Sequence, residues 1–415
     1  VKSSELASPR TLSPALEASW PRQALHALLG RLQQGDLRLE EAGHVLEFGE
    51  PRAQARVKAT LQIKDPAAYR AVLSNGSVGA GEAYMQGLWD TPDLLEVIRL
   101  FVINMEVVHG MKASPLRALA LRLFHWLRRN DRARARDNIA AHYDLSNDFF
   151  KLFLDDTLAY SSGIFLHETA TLAQASLAKF RRLCDKLELK PDDHLLEIGT
   201  GWGGLAVFAA KHYGCRVTTT TLSHQQYLHA KAWVEREGLA ERITLLEKDY
   251  RDLEGQFDKL VSVEMIEAVG AEYYPAYFSQ CSRLLKPAGL MMIQAITISD
   301  QRYKYSLANT DFIKRYIFPG GQLPCNAAFT RHLAEQTDMQ LIDLYDITRD
   351  YALTLRAWRD RFQEQLPAVR QLGFDEVFIR MWRFYLCFCE GGFLERVIHT
   401  AQFLCAKPGY RPARD

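Results

Sequence analysis

His194-Leu195-Leu196-Glu197-Ile198-Gly199-Thr200-Gly201-Trp202-Gly203-Gly204 is an apolar run of strand length that breaks into a glycine-rich turn and continues as a helix. Glycine at such a turn lets the backbone pass through φ > 0 and approach a ligand closely. The amides at the start of the following helix can then hold a carboxylate. A dinucleotide site would show Gly-x-Gly-x-x-Gly with an acid roughly twenty residues on. Here the turn reads Gly-x-Gly-x-Gly-Gly, and the next apolar run ends Thr219-Thr220-Thr221-Leu222-Ser223 without an acid for a ribose, which weighs against a nicotinamide cofactor.

Working outward, strand and helix patterns alternate from this point to the end of the chain, which predicts a parallel α/β sheet. Strands are predicted at 195–198, 216–221, 243–246, 259–263, 290–296 and 340–347. A helical stretch at 375–390 precedes a last strand at 397–404. Seven strands with an unusually placed final pair suit a Rossmann-like class I S-adenosylmethionine methyltransferase with helical insertions. On that reading Glu197, inside the first strand, suits the cationic amino-acid end of the cofactor, and Asp249 suits an adenine amine; ordinary strand-end polarity is the alternative for both.

The chain has 415 residues, more than one core usually organises, so two domains are expected. Residues 1–20 read as a flexible leader without a signal-peptide core. Residues 21–110 mix helices with strands such as 55–63 and a glycine-rich turn at 75–81, predicting a smaller α+β domain. Residues 111–137 read as a basic helical linker, in which Lys112, Arg117, Arg122, Arg128, Arg129, Arg132, Arg134 and Arg136 accompany Leu116, Leu119, Leu123, Trp126 and Leu127 at helical spacing. Such a helix can lie on an anionic membrane surface or simply pack on its own protein. Residues 138–415 are left for the catalytic domain.

A formal net charge of +1 argues against a nucleic-acid partner that relies on a global basic field. The seven cysteines are scattered without zinc-ribbon spacing, so reduced thiols in a cytoplasmic protein are expected, with no metal. No run approaches the roughly 18 apolar residues of a spanning helix. A membrane substrate would be reached from the inner surface by a peripheral protein.

Six segments, in order, carry a more specific signal. They are Ala141-His142-Tyr143-Asp144-Leu145-Ser146-Asn147-Asp148-Phe149-Phe150, Ala159-Tyr160-Ser161-Ser162, the turn Gly199 to Gly204, Thr221-Leu222-Ser223-His224-Gln225-Gln226, Val263-Glu264-Met265-Ile266-Glu267-Ala268-Val269-Gly270, and Arg315-Tyr316-Ile317-Phe318-Pro319-Gly320-Gly321. Together they make residues 138–415 resemble the cyclopropane fatty acid synthase family, as a divergent member. The N-terminal part resembles the lipid-binding domain of the phospholipid-acting branch, which the mycolic-acid branch lacks.

The resemblance implies attack by a cis double bond of an unsaturated phospholipid acyl chain on the sulfonium methyl, then proton loss and closure of a cyclopropane ring. It implies S-adenosylmethionine held by Tyr160, Ser161, Glu197, Gly199, Gly201, Gly203, Thr221, Leu222, Gln226, Asp249 and Tyr250, and a homodimer. A carbocation needs a dry slot with aromatic faces. The segment Phe312 to Phe318 and the run Trp382, Phe384, Tyr385, Phe388 and Phe393 offer such rings, unless they are plain core.

The family's base is a bound bicarbonate held by a Glu, a Cys, a His, a Tyr and backbone groups. By position the Glu is Glu267 and the Tyr is Tyr351. The Cys position holds Ser162 and the His position holds Gln294; the residue after Glu267, usually His, is Ala268. Ser and Gln can still donate to an anion, but neither titrates near neutrality. If proton loss is redirected, the cation loses another proton or accepts hydride, and a methylated unsaturated or methyl-branched chain results instead of a ring. Glu264, an extra acid beside this set, is either part of an altered pocket or strand-end polarity. A small-molecule N- or O-methyltransferase on the same fold is the remaining alternative.

Overall fold

The structure, a computed structural model, describes residues 19–105 and 146–412. The basic stretch at 111–137 and most of the leader lie outside them. The chain divides into two compact units, the first built from its N-terminal part together with Phe374–Glu395 and the second from the remainder.

In the first unit, β1 (Asp36–Glu41), β2 (His44–Gly49), β3 (Lys58–Ile63) and β4 (Trp89–Asp90) form a sheet ordered β2-β1-β3-β4. A tight hairpin joins β1 to β2, with both connecting residues, Ala42 (φ 48°) and Gly43 (φ 84°), in the left-handed region. Two left-handed residues give the turn a twist that matches the paired strands. The glycine-rich segment expected as a turn is instead the middle of the helix Ala67–Met85, kinked at Gly76 (φ 55°). A Cβ on Gly79 would sit 2.0 Å from the carbonyl oxygen of Ala71, so glycine there is required for the kink to close.

The helix Glu376–Leu394 packs against the helices Leu94–Ile103 and Ala67–Met85. This corrects the expectation of one uninterrupted catalytic domain over residues 138–415. The cause is the helix's apolar face: Trp382, Phe384 and Tyr385 are buried, and the Phe384 and Tyr84 ring centroids lie 5.9 Å apart. Arg380 stacks 3.8 Å over Tyr84 and donates to the Trp89 carbonyl at 2.9 Å. Arg99 closes the end of the helix by donating to Glu395 at 2.8 Å. The aromatic run Trp382 to Phe393 is therefore core of the first unit.

Contact between the helices is tightest at Gly391, where a Cβ would lie 2.8 Å from Cγ2 of Ile98. Gly391→Leu is expected to destabilise the first unit by about 1–3 kcal/mol through overpacking, read as a lower midpoint in urea.

The second unit carries β5 (His194–Ile198), β6 (Arg216–Thr220), β7 (Ile243–Leu246), β8 (Phe257–Val263), β9 (Leu285–Ile298), β10 (Gln340–Asp346) and β11 (Ile398–Ala406). Their order is β10-β11-β9-β8-β5-β6-β7, with β11 antiparallel to both β9 and β10 and the central strands parallel. This is the expected α/β class I methyltransferase sheet, including the inserted last strand. Alternation sends Leu196 and Ile198 into a core on one face with Tyr277 and Phe278, and Leu195 into a core on the other with Phe180 and Phe208. Both faces are covered, so the open place for a ligand is the carboxyl edge of the strands. No helix among the described residues is long and apolar enough to cross a membrane.

Candidate active site

The turn after β5 runs through positive φ at Gly199 (102°), Gly201 (52°) and Gly203 (99°). The amides of Gly199 and Thr200 both donate to the Thr220 carbonyl at 3.1 and 3.0 Å, which fastens the turn to β6. The glycines serve different ends. A Cβ on Gly203 would come within 3.1 Å of Ala230, so this residue allows a helix to pack; one on Gly201 would meet no protein atom within 4 Å.

Beside that open position lies a cavity whose wall includes Tyr160, Ser161, Glu197, Gly199, Gly201, Thr221, Leu222, Gln226 and Tyr250. Nine of the residues expected around a cofactor thus converge. Two do not. Gly203 is behind the wall, for the packing reason above, and Asp249 is turned away, engaging the Arg251 side chain at 2.6 and 2.8 Å and its amide at 2.9 Å. Trp202, Phe180 and Lys248 line the same cavity without having been expected. Trp202 is locked by a bond from its indole N–H to Asn147, at 2.8 Å.

Glu197 is buried, and its carboxylate accepts from the Thr219 hydroxyl at 2.6 Å, itself 2.7 Å from that of Thr200. Burial pushes its acid up to about 8 against the pull of that hydrogen bond. A cationic ligand would restore the charge. For S-adenosylmethionine, affinity is therefore expected to rise from pH 6 to pH 8 as Glu197 ionises. Glu197→Gln should weaken binding by about tenfold, the worth of roughly 1.4 kcal/mol, and flatten that rise in calorimetric titrations.

At the carboxyl end of β8 a second set of side chains meets. Glu264 follows the strand with φ 50°, a left-handed conformation for a residue that carries a Cβ. Its Oε1 accepts from the Ser162 amide at 2.9 Å and from Nε2 of Gln294 at 2.8 Å. Its Oε2 accepts from the Tyr351 hydroxyl at 2.8 Å. Gln294 is oriented by Gln402, whose amide donates to its Oε1 at 2.9 Å. Three of the four expected catalytic residues are thus gathered on Glu264. The fourth, Glu267, accepts from the Ile296 amide. Its other oxygen is buried without a hydrogen-bond partner.

The Ser162 hydroxyl donates to the Gly163 carbonyl at 3.0 Å, so the backbone N–H at this position makes the anion contact, contrary to the side-chain role expected of it. Lys179 lies behind, fully buried, donating to the Ser161 hydroxyl at 2.6 Å. Burial pulls its ammonium down to about 8, while Glu264 and Asp155 oppose that shift. Burial also raises Glu264, against Gln294, Lys179, Ser162 and Tyr351. Glu267 is pushed up to about 8 by burial and by the charge of Glu264. The Ser162 amide, Gln294, Tyr351 and the Ile296 amide are all engaged by protein carboxylates, so the site does not fit the bicarbonate that the resemblance implied.

The model of one family, described as mycolic acid cyclopropane synthetase, matches residues 130–403. The chain belongs to that family. It is accordingly an S-adenosylmethionine-dependent methyltransferase of the cyclopropane synthase type. It is 37% identical over 375 residues to a tuberculostearic acid methyltransferase of Mycobacterium tuberculosis, covering 86% of this chain and 85% of that one. It is 36% identical over 366 residues to the cyclopropane-fatty-acyl-phospholipid synthase of Escherichia coli K12, covering 86% and 91%. Among solved structures, a mycolic acid cyclopropane synthase complexed with SAH and CTAB superposes with a TM-score of 0.62 at 31% identity. That likeness spans 66% of this chain and 98% of the other.

Proposed function

We propose that this synthase-family member transfers one carbon from S-adenosylmethionine to the double bond of an unsaturated phospholipid acyl chain, forming a cyclopropane ring, as a peripheral protein at the inner membrane surface. The observation that carries the phospholipid part is the extent of the matches. The mycolic acid enzyme is matched nearly whole by 66% of this chain, whereas the phospholipid synthase match takes in 86% and necessarily reaches into the residues before 111. The first unit is then the part that meets the lipid surface. A homodimer is part of the same reading.

S-adenosylmethionine, when bound, supplies an electrophilic methyl on a sulfonium. Glu197 offers the charge for its cationic end, and the open face at Gly201 admits its backbone. The aromatic rings for the carbocation come from the cavity itself, Tyr160, Phe180 and Trp202, in place of the late run. Phe312 is buried outside that wall, which removes it from the same role.

A second outcome of the same chemistry, a methyl-branched or methylated unsaturated chain, is favoured by the 37% identity to a tuberculostearic acid methyltransferase. Lipid extracts from a bacterial host making the protein should contain acyl chains heavier by one methylene unit. Proton resonance spectra of those chains then separate ring from methyl or methylene group, and an unchanged acyl profile together with methylation of soluble amines or hydroxyls would refute the lipid reading.

A further inference from the structure

We propose that Glu264 is the base of the reaction: a carboxylate built into the chain stands where the family resemblance calls for a bound bicarbonate. This rests on the acyl-chain reading above.

The geometry argues it in three steps. First, the positions that the resemblance assigns to an anion, at Ser162, Gln294 and Tyr351, are all occupied and all three direct a donor at one group, the Glu264 carboxylate, at 2.8–2.9 Å. The Ile296 amide, on the same stretch of β9, is taken by Glu267. An added bicarbonate would find these donors engaged and a like charge in its place, a combination that disfavours binding.

Second, the arrangement is held against a local cost. A residue that carries a Cβ is disfavoured at φ 50° by the clash of that atom with its own backbone. Here the backbone is pinned by the Glu264 amide, which donates to the Gln294 carbonyl at 2.8 Å. The amide of Gln294 is pinned in turn by Gln402, so its N–H end faces Glu264. Strained residues that the surroundings over-determine concentrate at reactive sites.

Third, the groups packed around the carboxylate favour its charged form against the cost of burial. Lys179 attracts it from the helix Leu172–Lys186, Tyr351 donates to it from the helix Thr348–Glu364, and Glu267, in the turn after β8, is itself pushed up by its charge. Glu264 shares the wall of the cofactor cavity with Tyr160, Ser161 and Met265, which puts the residue beside the cofactor. Gln294, unlike a histidine, donates without titrating, so the proton taken up resides on Glu264.

The alkene π pair forms a C–C bond to the methyl as the C–S bond breaks, leaving a carbocation on the neighbouring carbon. Glu264 takes a proton from the new methyl. The freed C–H pair closes the three-membered ring. If a 1,2-hydride shift has first moved the cation to the methylated carbon, the pair forms the C=C bond of a methylene branch instead. After product leaves, the carboxylic acid returns its proton to water.

The test uses the full chain, S-adenosylmethionine and vesicles of dioleoyl phosphatidylglycerol, in CO2-stripped buffer with and without millimolar bicarbonate. Wild-type turnover should be indifferent to bicarbonate. Glu264→Gln should cut turnover by roughly 10²–10⁴-fold, the range of a general base, with cofactor affinity kept. Glu264→Gly, at ease at φ 50°, should bind bicarbonate, seen as broadening of the 13C-bicarbonate resonance, and should regain turnover in its presence.

Bicarbonate stimulation or binding by the wild type, unimpaired Glu264→Gln, or a Gly variant that binds bicarbonate without regaining turnover would each overturn the proposal. If wild type modifies no vesicle lipid, the acyl-chain reading fails. The 13C comparison between wild type and Glu264→Gly still decides whether Glu264 fills the anion site.

Discussion

Gly201→Val is expected to abolish binding of S-adenosylmethionine, a loss of at least about a hundredfold, or roughly 2.7 kcal/mol, while the protein stays folded. Gly201 has φ 52°, and a Cβ there would meet no protein atom within 4 Å. The new side chain therefore enters the cavity and nothing else. A β-branched residue in the left-handed region adds strain of about 1–2 kcal/mol, which a domain of ordinary stability tolerates. Calorimetry should show no cofactor heat, and the melting transition should fall by only a few degrees. Gly203→Val is the informative contrast: its Cβ lies 3.1 Å from Ala230, so stability should be lost along with binding. Retained affinity in Gly201→Val would remove this turn from the cofactor site.

Glu267→Gln should flatten the pH dependence of stability in the cofactor-free protein. Burial and Glu264 raise the Glu267 acid to about 8 from an ordinary 4.5. A carboxyl group whose folded value lies above its unfolded one favours the folded state at low pH, and that advantage is lost as pH rises through the folded value. Between pH 6 and pH 9 the wild type should lose on the order of 2 kcal/mol from this group. Glutamine keeps an oxygen for the Ile296 amide and puts its nitrogen where the partnerless oxygen stood. The variant should match wild type near pH 6 and exceed it near pH 9 in denaturant midpoints. Equal slopes would mean that Glu267 does not hold its proton to neutrality.

Much of the second unit was legible because its central strands are buried on both faces and carry apolar runs, as at Leu290-Met291-Met292-Ile293 of β9. β9 starts at Leu285, earlier than expected at 290, because Lys286, Pro287, Ala288 and Gly289 interrupt the apolar pattern without interrupting the strand. β1 and β2 are harder to see, since Ala42-Gly43 is not the Asn-Gly or Asp-Gly pair that marks a two-residue hairpin. The helix Glu376–Leu394 was visible as a helix, but its partners are remote in sequence and no local period names them.

The same limit governs the site. The cofactor wall follows from one turn and the strand beside it. The importance of Glu264 depends on a single positive φ and on donors from three distant segments, so in sequence it resembles any acid at a strand end. Lys179, within Ala178-Lys179-Phe180 of an amphipathic helix, looks like a solvated residue and is fully buried.

The placement of Glu376–Leu394 also bears on how the protein is made. Ribosomal synthesis delivers the helix Leu94–Ile103 first and its packing partner only after six of the seven strands of the second unit have emerged. Val97, Ile98 and Leu100 thus await a late arrival. The usual sequence, in which the N-terminal domain matures first, is unavailable to this chain: its first unit is completed only after most of the second, and a nascent chain stalled before residue 376 would carry an unfinished apolar face for chaperones to hold.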